Sequence, residues 1–299
     1  MRTHSHTTPC ITAGEALLGA AALLALAVMV WWLTSGWPAW IAMWMIAAAE
    51  FFAIKGITLG WQRGIALPGR AFAYVALWPG MDAPAFFEKR CGSSARPGWG
   101  EASWAATKMA FGFGLLALAV IMQGHWPDMV VGWTAMVGII FVLHFGMFHL
   151  LSCAWRTIGV EARPIMSAPI AATSLADFWG WRWNAAFADA ARRFLFLPLC
   201  RKFGSNLAGA GVFLFSGLIH EAVISLPARG GWGGPTAYFL IQAIGMGLEK
   251  TVIARKLGLG GGATGWAWTL VVTAAPLPLL FHTPFVERII FPLLDFLGG

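Results

Sequence analysis

Two short groups of polar residues within apolar sequence are the features of this chain most able to do chemistry. His220, followed by Glu221, lies in the apolar run Asn206–Leu226 (NLAGAGVFLFSGLIHEAVISL). A charged group at the centre of a membrane costs roughly 2.5–3.5 kcal/mol on insertion scales, so ionisable residues at that depth usually serve a function. Upstream, the segment FWGWRWN (Phe178–Asn184) combines three tryptophans with an arginine and an asparagine. These two segments are the candidate functional regions.

Helical geometry limits the chemistry open to His220. Ser216 precedes it by four residues and shares its face, whereas Glu221 projects about 100° away. Burial disfavours the charged imidazolium and leaves a neutral ring, which can accept a proton from a hydroxyl group as a general base. A histidine that only makes an interhelical hydrogen bond is the other interpretation. The residues alone leave both interpretations open.

The upstream segment TSLADFWGWRWN also has two interpretations. Ser174 and Asp177 resemble a capping box, which predicts that a short helix begins there. Tryptophans favour the membrane–water boundary, so the helix could lie along the membrane surface, with Arg182 reaching lipid phosphates. Alternatively, the amide of Asn184 is an orienting group in a buried site.

The composition identifies the class of protein that holds these residues. The chain has 299 residues, of which 59% are hydrophobic and 11% are charged, whereas charged residues make up about 25% of a typical soluble protein. Long apolar runs therefore predict an all-α polytopic membrane protein. The predicted spans are Ala16–Leu33, Pro38–Ile54, Trp104–Met122, Met129–Leu151, Asn206–Leu226, Pro235–Ile253 and Ala263–Phe281. Two further segments, Ala66–Met81 and Pro284–Leu297, are short or interrupted by charges and prolines.

The basic residues predict the orientation. If the seven runs cross the membrane, all lysines and arginines except Arg229 and Arg288 fall on one side. The positive-inside tendency makes that side cytoplasmic, together with the N-terminus. A full span at Ala66–Met81 would break this partition, so we interpret the segment as re-entrant or interfacial. The net charge of +7 then describes a basic cytoplasmic face suited to anionic headgroups or an anionic cosubstrate, and not to nucleic acid.

Other classes of site find little support. The four cysteines show no C-x-x-C spacing, and His144 and His149 lie roughly 140° apart around a helix, so we expect neither a disulfide framework nor a metal site. A serine hydrolase using Ser216 and His220 lacks the G-x-S-x-G turn. The N-terminal apolar run has no clear cleavage site, so we interpret it as a retained membrane span and not as a signal peptide. We find no internal repeat, and one integral membrane domain is predicted for residues 1–299.

The two polar segments together resemble a known family. SLADFWGWRWN (Ser174–Asn184) followed by FSGLIHEAV (Phe215–Val223) is similar to the wax synthase branch of the membrane-bound O-acyltransferases (MBOAT). Two further segments, LWPGMD (Leu77–Asp82) and LFHTPFVERIIFPLL (Leu280–Leu294), also resemble the sequences of bacterial members. The likeness therefore extends over residues 77–299 and is weaker over the first two spans.

The resemblance implies a fold, a reaction and roles for individual residues. It implies a bundle of about 7–9 transmembrane helices with re-entrant or interfacial segments, in a bacterial inner membrane. It implies transfer of a fatty acyl group from acyl-CoA to a lipophilic alcohol, with no bound cofactor, and with His220 and Asn184 as the active-site pair. His220 would be the general base in a ternary complex, and Asn184 would hydrogen-bond the substrate. Candidate contacts for substrate or CoA are Trp179, Arg182, Trp183, Arg192, Arg193, Ser216 and Glu221.

Several alternatives remain at the level of sequence. Each arginine could equally anchor the chain at the membrane surface. A transporter that uses His220 and Glu221 as a proton relay would also place polar groups at mid-span. The acceptor could be a long-chain alcohol, a sterol, a diacylglycerol or another natural product, and the roles of Glu221 and Glu249 are not predicted.

Overall fold

The chain is an all-α polytopic membrane protein. The structure is a computed structural model that describes residues 11–61, 68–87 and 96–299, and all regular structure in these residues is helical. In chain order we name the helical segments α1 (Ala13–Leu33), α2 (Ala39–Gly60), α3 (Pro68–Leu77), α4 (Ala83–Phe87), α5 (Trp99–Met122), α6 (Asp128–Thr157), α7 (Leu175–Asp177), α8 (Ala185–Ala228), α9 (Gly234–Glu249), α10 (Val252–Lys256), α11 (Gly262–Leu280) and α12 (Phe291–Gly298).

Six of these segments are long and apolar enough to cross a membrane, namely α1, α2, α5, α6, α8 and α11. They correspond to six of the seven predicted spans. The seventh prediction, Pro235–Ile253, corresponds to α9, which has 16 residues and is therefore only about 24 Å long. The expectation of 7–9 spans thus exceeds the six found by length and composition in the described part of the chain.

The interrupted segments are short helices. α3 has 10 residues and a length of about 15 Å, which is too short to cross about 30 Å of hydrocarbon. This agrees with the prediction that Ala66–Met81 is not a full span. Near the C-terminus, Thr283–Phe285 continues through a π-helical turn, Val286–Ile290, into α12.

Capping fixes the start of α1. The Thr12 hydroxyl accepts from the Glu15 amide at 3.2 Å, and the Glu15 carboxylate accepts from the Thr12 amide at 2.8 Å. This reciprocal pair satisfies amides that have no partner inside the helix.

A break at Gly204 divides α8 into two parts that fold against each other. Gly204 has φ 80° and ψ 166°, values that are open to glycine and strained for other residues. Leu195 and Leu199, before the break, pack in one cluster with Phe215 and Ile219, after it. The reversal brings the start of α8 back towards the part that carries His220.

α9 lies in the main apolar cluster although its sequence suggests a span. Tyr238 and Phe239 of α9 are buried in that cluster with Phe213 of α8 and with Val286 and Ile289 from the C-terminal segment. α9 packs on the bundle through this face, whereas its opposite face is exposed at Leu240, Ile244 and Leu248. The short helix is therefore a scaffold against which the candidate site is assembled.

Candidate functional site

His220 is held in one orientation by its own helix. Its Nδ1 lies 2.7 Å from the Ser216 carbonyl oxygen. Because a carbonyl oxygen only accepts, Nδ1 must carry the proton and donate it, which leaves the lone pair of a neutral ring on Nε2. The ring centroid lies 4.5 Å from that of Phe239 on α9. The side chain is partly buried, and Nε2 makes no hydrogen bond with any described residue.

Glu221 connects the helix of His220 to α9. Its Oε1 accepts from the backbone amide of Thr236 at 3.2 Å and from the Thr236 hydroxyl at 3.1 Å. Gly233, the N-cap residue of α9, has no side chain, so Glu221 supplies the missing cap and places negative charge at the helix N-terminus. The sequence did not predict a role for Glu221, and the structure gives it one as the N-terminal cap of α9.

Gly217 allows the two helices to approach closely at the same level. A Cβ on Gly217 would lie 2.8 Å from the Thr236 Cα, so any larger residue would push α9 away. The positions of His220 and Phe239 depend on this approach, because Phe239 lies one turn after Thr236 on α9.

Ser216 contributes its backbone. The residue is buried, its carbonyl oxygen orients His220, and its hydroxyl forms no hydrogen bond within the described part of the chain. No hydrogen bond joins the Ser216 hydroxyl to the imidazole of His220, as a nucleophile–base pair would require.

The segment before Asn184 is positioned by residues distant in sequence. Ser174 caps α7, because its hydroxyl accepts from the Asp177 amide at 3.0 Å, as the capping signal predicts. Glu249, at the end of α9, accepts from the Leu175 amide at 2.8 Å. The structure thus gives Glu249 a structural role, as a second cap on α7.

Trp179 joins this segment to the core near His220. Its indole Nε1 donates to Gln242 Oε1 at 3.3 Å, and Gln242 Nε2 donates to the Val272 carbonyl at 2.8 Å. The Trp179 ring also packs on Phe239 at 5.6 Å between centroids. Phe239 therefore contacts both Trp179 and His220, and it bridges the two segments singled out by the sequence.

Asn184 has an unusual backbone conformation and a defined amide. Its φ of 45° and ψ of 60° lie in the left-handed region, where asparagine is among the better-tolerated residues. Its Oδ1 accepts from the Phe187 amide at 3.2 Å and so caps the start of α8. Since the oxygen is engaged, the Nδ2 amide group is the part left to donate, and it has no hydrogen-bond acceptor among the described residues.

The side chains of Asn184 and His220 are not joined directly. No hydrogen bond connects their side chains in the part of the chain that the structure describes. Phe187, three residues after Asn184, lines the same small cavity as Phe215, five residues before His220. The two segments therefore share one small cavity, and Phe239, which packs on both Trp179 and His220, is a second link between them.

The remaining predicted binding residues fall into two groups. Trp183 stacks on Phe178, with centroids 5.6 Å apart, and lies beside Phe145. Arg182 is engaged by the protein itself, because its Nε donates to Asp177 Oδ2 at 2.6 Å and its Nη1 donates to the carbonyl oxygens of Ser167 and Ala168 at 3.3 and 3.4 Å. Trp183 and Arg182 thus shape the segment that ends at Asn184.

The two arginines of α8 differ in their surroundings. Arg193 Nη2 lies 3.3 Å from Asp82 Oδ1 and 3.7 Å from Asp189 Oδ2. Arg192 is exposed and forms no ion pair with a described carboxylate. Of this pair, Arg192 is the one open to an anionic ligand.

Asp82 belongs to a polar group that sequence reasoning did not find. Lys55 is fully buried and donates through Nζ to the Gly80 carbonyl oxygen, and Nζ lies 3.4 Å from the Tyr74 ring centroid. Tyr74 is also buried and forms a 2.7 Å hydrogen bond with Thr58, and burial raises the pKa of the phenol. The LWPGMD motif is thus fastened to α2 and, through Asp82, to Arg193.

A second unpredicted group lies between α5 and α6. Potential metal-ligand atoms of Glu101, His149 and Cys153 lie within 4.8 Å of one another. However, Lys108 Nζ is 2.9 Å from His149 Nδ1, and Arg156 donates to Glu101. Lys108 and Arg156 thus occupy atoms of His149 and Glu101 that a metal ion would need, so the group fits an ion network better than a metal site. Spacing could not predict it because its members come from two helices.

His282, in the C-terminal motif, caps the helical turn Thr283–Phe285. Its Nδ1 accepts from the Phe285 amide at 3.2 Å, and Nε2 lies 3.2 Å from the Ser225 hydroxyl oxygen. Since Nδ1 accepts, Nε2 carries the proton and donates it to Ser225. Burial lowers the pKa of His282, and the charge of Glu221 opposes this shift. His282 therefore supports the π-helical turn that follows His220.

Comparisons with known proteins agree with the motif that carries this geometry. Residues 162–241, which include Asn184, His220 and Thr236, match the profile of the Membrane bound O-acyl transferase family. The chain is 34% identical over 113 residues to the Probable long-chain-alcohol O-fatty-acyltransferase 3 of Arabidopsis thaliana, which covers 33% of each protein.

Two further relatives extend the comparison. The similarity to the Acyl-CoA--sterol O-acyltransferase 1 of Arabidopsis thaliana is 32% identity over 110 residues, covering 34% of this chain and 32% of the relative. The similarity to the Long-chain-alcohol O-fatty-acyltransferase of Simmondsia chinensis is 28% identity over 132 residues, covering 39% and 37%. The matched regions thus span only about a third of the length of these relatives.

Proposed function

We propose that this protein transfers a fatty acyl group from acyl-CoA to the hydroxyl of a lipophilic alcohol, as in a wax ester synthase. The observation that carries the proposal is the hydrogen bond from His220 Nδ1 to the Ser216 carbonyl oxygen at 2.7 Å. It leaves the Nε2 lone pair as the basic atom of a neutral imidazole at membrane depth. The similarity to acyltransferases named for long-chain alcohols supports this reaction class.

In the proposed mechanism, both substrates bind before any bond changes. His220 Nε2 takes the proton of the alcohol as its oxygen attacks the thioester carbonyl carbon. The C–S bond then breaks, and the imidazolium returns the proton to the leaving CoA thiolate. The products are an ester and free CoA, and no acyl-enzyme forms.

Asn184 is proposed to stabilise the oxygen that gains negative charge. Its Oδ1 is held by the Phe187 amide, which directs Nδ2 as the donating end. A preorganised donor of this kind contributes about 10²–10³-fold in rate.

The remaining parts of the proposal concern location and cosubstrate. The acyl and alkyl chains would lie among the apolar helices, and the CoA phosphates would meet exposed cations such as Arg192. We propose one domain over residues 1–299, in a bacterial inner membrane with a cytoplasmic N-terminus. A sterol acceptor is the alternative favoured by a specific observation, since one similar protein is named for that reaction.

The test measures release of free CoA thiol by the purified protein in detergent, with palmitoyl-CoA and hexadecanol or a sterol. We expect alcohol-dependent release, reduced about 10²–10⁴-fold in His220→Ala because a positioned base contributes that factor. Size-exclusion chromatography and the unfolding temperature would verify that the variant is folded. Full activity in folded His220→Ala would overturn the mechanism.

Ser216→Ala is the matched variant one turn away on the same helix. It retains the carbonyl oxygen that orients His220 and removes only the hydroxyl. We expect an unchanged rate, since the mechanism uses no serine nucleophile. A loss as large as that of His220→Ala, with an acyl group on wild-type Ser216 detected by mass spectrometry, would instead establish an acyl-enzyme.

A further inference from the structure

A cavity of about 250 Å³ lies where the turn between α1 and α2 meets the end of α8. It is lined by Trp31, Ser35 and Trp37 on one side and by Arg229 and Arg288 on the other. These are the two arginines that the sequence places opposite all other basic residues. In the predicted seven-span orientation that side is extracytoplasmic, where the positive-inside tendency disfavours cationic residues, so their convergence on one cavity requires an explanation.

The two arginines lack acidic partners in the described structure. Arg288 Nη1 donates to the carbonyl oxygens of Ala228 at 2.9 Å and Arg229 at 3.2 Å, so it caps the end of α8. Its remaining guanidinium N–H groups, and all those of Arg229, form no hydrogen bond with described residues, and neither arginine forms an ion pair with a described carboxylate. Two positive charges therefore face the same space without neutralisation.

The surrounding residues indicate a ligand that is partly apolar. The tryptophans are typical of the membrane–water boundary, and Trp37 is more than half exposed. Guanidinium groups favour phosphate through paired hydrogen bonds. We propose that this cavity binds the phosphate headgroup of an anionic phospholipid, whose acyl chains remain in the membrane beside α1 and α2.

The test measures the unfolding temperature of the protein in nonionic detergent against added phosphatidylglycerol, phosphatidylcholine or sodium phosphate. We expect the strongest stabilisation with phosphatidylglycerol, because a ligand that binds the folded state raises its stability. Arg229→Gln should weaken the apparent affinity for phosphatidylglycerol about fivefold, since one basic residue at an anionic surface contributes about 1 kcal/mol.

Arg255→Gln, at an exposed arginine on α10, is the matched control and should leave this affinity unchanged. Because the Arg229 side chain forms no hydrogen bond with the described residues, Arg229→Gln should keep the fold. Equal stabilisation by phosphatidylglycerol and phosphatidylcholine, or an unchanged affinity in Arg229→Gln, would overturn the proposal. Stabilisation by sodium phosphate alone would also overturn it, in favour of a free anion.

A separate observation concerns Glu50 in the middle of α2. The residue is 4% exposed, and neither of its carboxyl oxygens has a hydrogen-bond partner among the described residues. Glu221 Oε2, on an element that packs against α2, is also buried without a partner. Buried polar atoms of this kind cost about 1–3 kcal/mol each when they remain unsatisfied.

The packing of α2 on α8 places Glu50 at the level of the candidate site. Ala42 and Pro227 line one cavity, and Ile54 and Phe215 line another, so the two helices run antiparallel. The separation between Ala42 and Ile54 along α2 equals the separation between Phe215 and Pro227 along α8. Glu50, four residues before Ile54, therefore lies level with Ile219, the neighbour of His220.

We propose that Glu50, in its neutral acid form, hydrogen-bonds the hydroxyl of the acceptor alcohol and places it near His220. This inference rests on the proposed acyl transfer. Loss of such a hydrogen bond inside the bundle should raise the KM for the alcohol about tenfold, while the KM for acyl-CoA stays constant because the thioester does not contact Glu50.

The test compares Glu50→Leu, Glu50→Gln and the control Met45→Leu on an exposed face of the same helix. We expect a raised alcohol KM in Glu50→Leu, recovery of most of the wild-type KM in Glu50→Gln, and no change in Met45→Leu. An unchanged alcohol KM in active, folded Glu50→Leu would overturn this inference alone. An inactive wild-type protein would instead contradict the proposed function.

Discussion

The two candidate site residues are placed by different means. His220 ends an α-helical stretch, directly before the π-helical turn Glu221–Ser225, and is oriented by a carbonyl oxygen one turn earlier, at Ser216. Asn184 lies at an irregular corner with a left-handed backbone, and its segment depends on Glu249 and Gln242 from α9. A side chain on a helix needs few tertiary contacts to be oriented, whereas one on an irregular segment needs many. The Asn184 region should therefore be the more sensitive of the two to distant substitutions.

Substitution of Asn184 should give the largest effect among variants that test this comparison. We expect Asn184→Ala to lower kcat about 10²-fold, since it removes a proposed oxyanion donor, and to destabilise the left-handed backbone. Asn184→Gly separates the two effects, because glycine tolerates the backbone without supplying an amide. The measurements are CoA release and the unfolding temperature. Equal activity of Asn184→Gly and wild type would show that the residue serves only the backbone.

Gly204 tests whether the reversal of α8 brings the two regions together. Gly204→Ala forces a side chain into φ 80°, ψ 166°, and we expect destabilisation of about 1–3 kcal/mol together with reduced activity. Gly209→Ala is the matched control, because Gly209 lies in the helix with open space around its Cβ position. Thermal unfolding in detergent compares the two. A larger effect at Gly209 would refute the role assigned to the break.

Glu249 supports only the Asn184 region. We expect Glu249→Leu to cost about 0.5–2 kcal/mol, because the Leu175 amide loses its acceptor. Because the effect is local to α7, activity and the tryptophan fluorescence anisotropy should decrease clearly, whereas the global unfolding temperature should change little. Glu249→Gln keeps an acceptor oxygen and should recover most of the activity. If Glu249→Gln recovered no activity, the negative charge of Glu249 and not its acceptor oxygen would be required.

Thr236 supports only the His220 region, and its substitution should have the smallest effect. Thr236→Val removes the hydroxyl that donates to Glu221 and leaves the backbone amide as a donor. We expect a cost of about 1 kcal/mol and a modest decrease in kcat. Unfolding temperature and CoA release provide the measurement. A decrease comparable to that of Asn184→Ala would mean that His220 depends on tertiary support as strongly as Asn184 does.

Several features of the fold and the site were predictable because they follow from local rules. The apolar runs predicted the six long helices, and the relation between Ser216 and His220 follows from the helical repeat alone. The capping signal at Ser174 correctly predicted the start of α7. The length of α9 was not predictable in the same way, because apolar sequence describes both a full membrane span and a shorter helix that packs on the bundle.

The sequence by itself determined the class of protein, the positions of its long helices and the two segments that carry polar residues, because hydropathy and helix periodicity act over short stretches of chain. Only the tertiary structure decided which residues support those segments. Glu221 meets Thr236, Glu249 meets Leu175, and Trp179 and His220 share Phe239. These contacts join residues that are distant in sequence. They depend on how the helices pack and on where α8 reverses, and neither can be read from the spacing of residues along the chain.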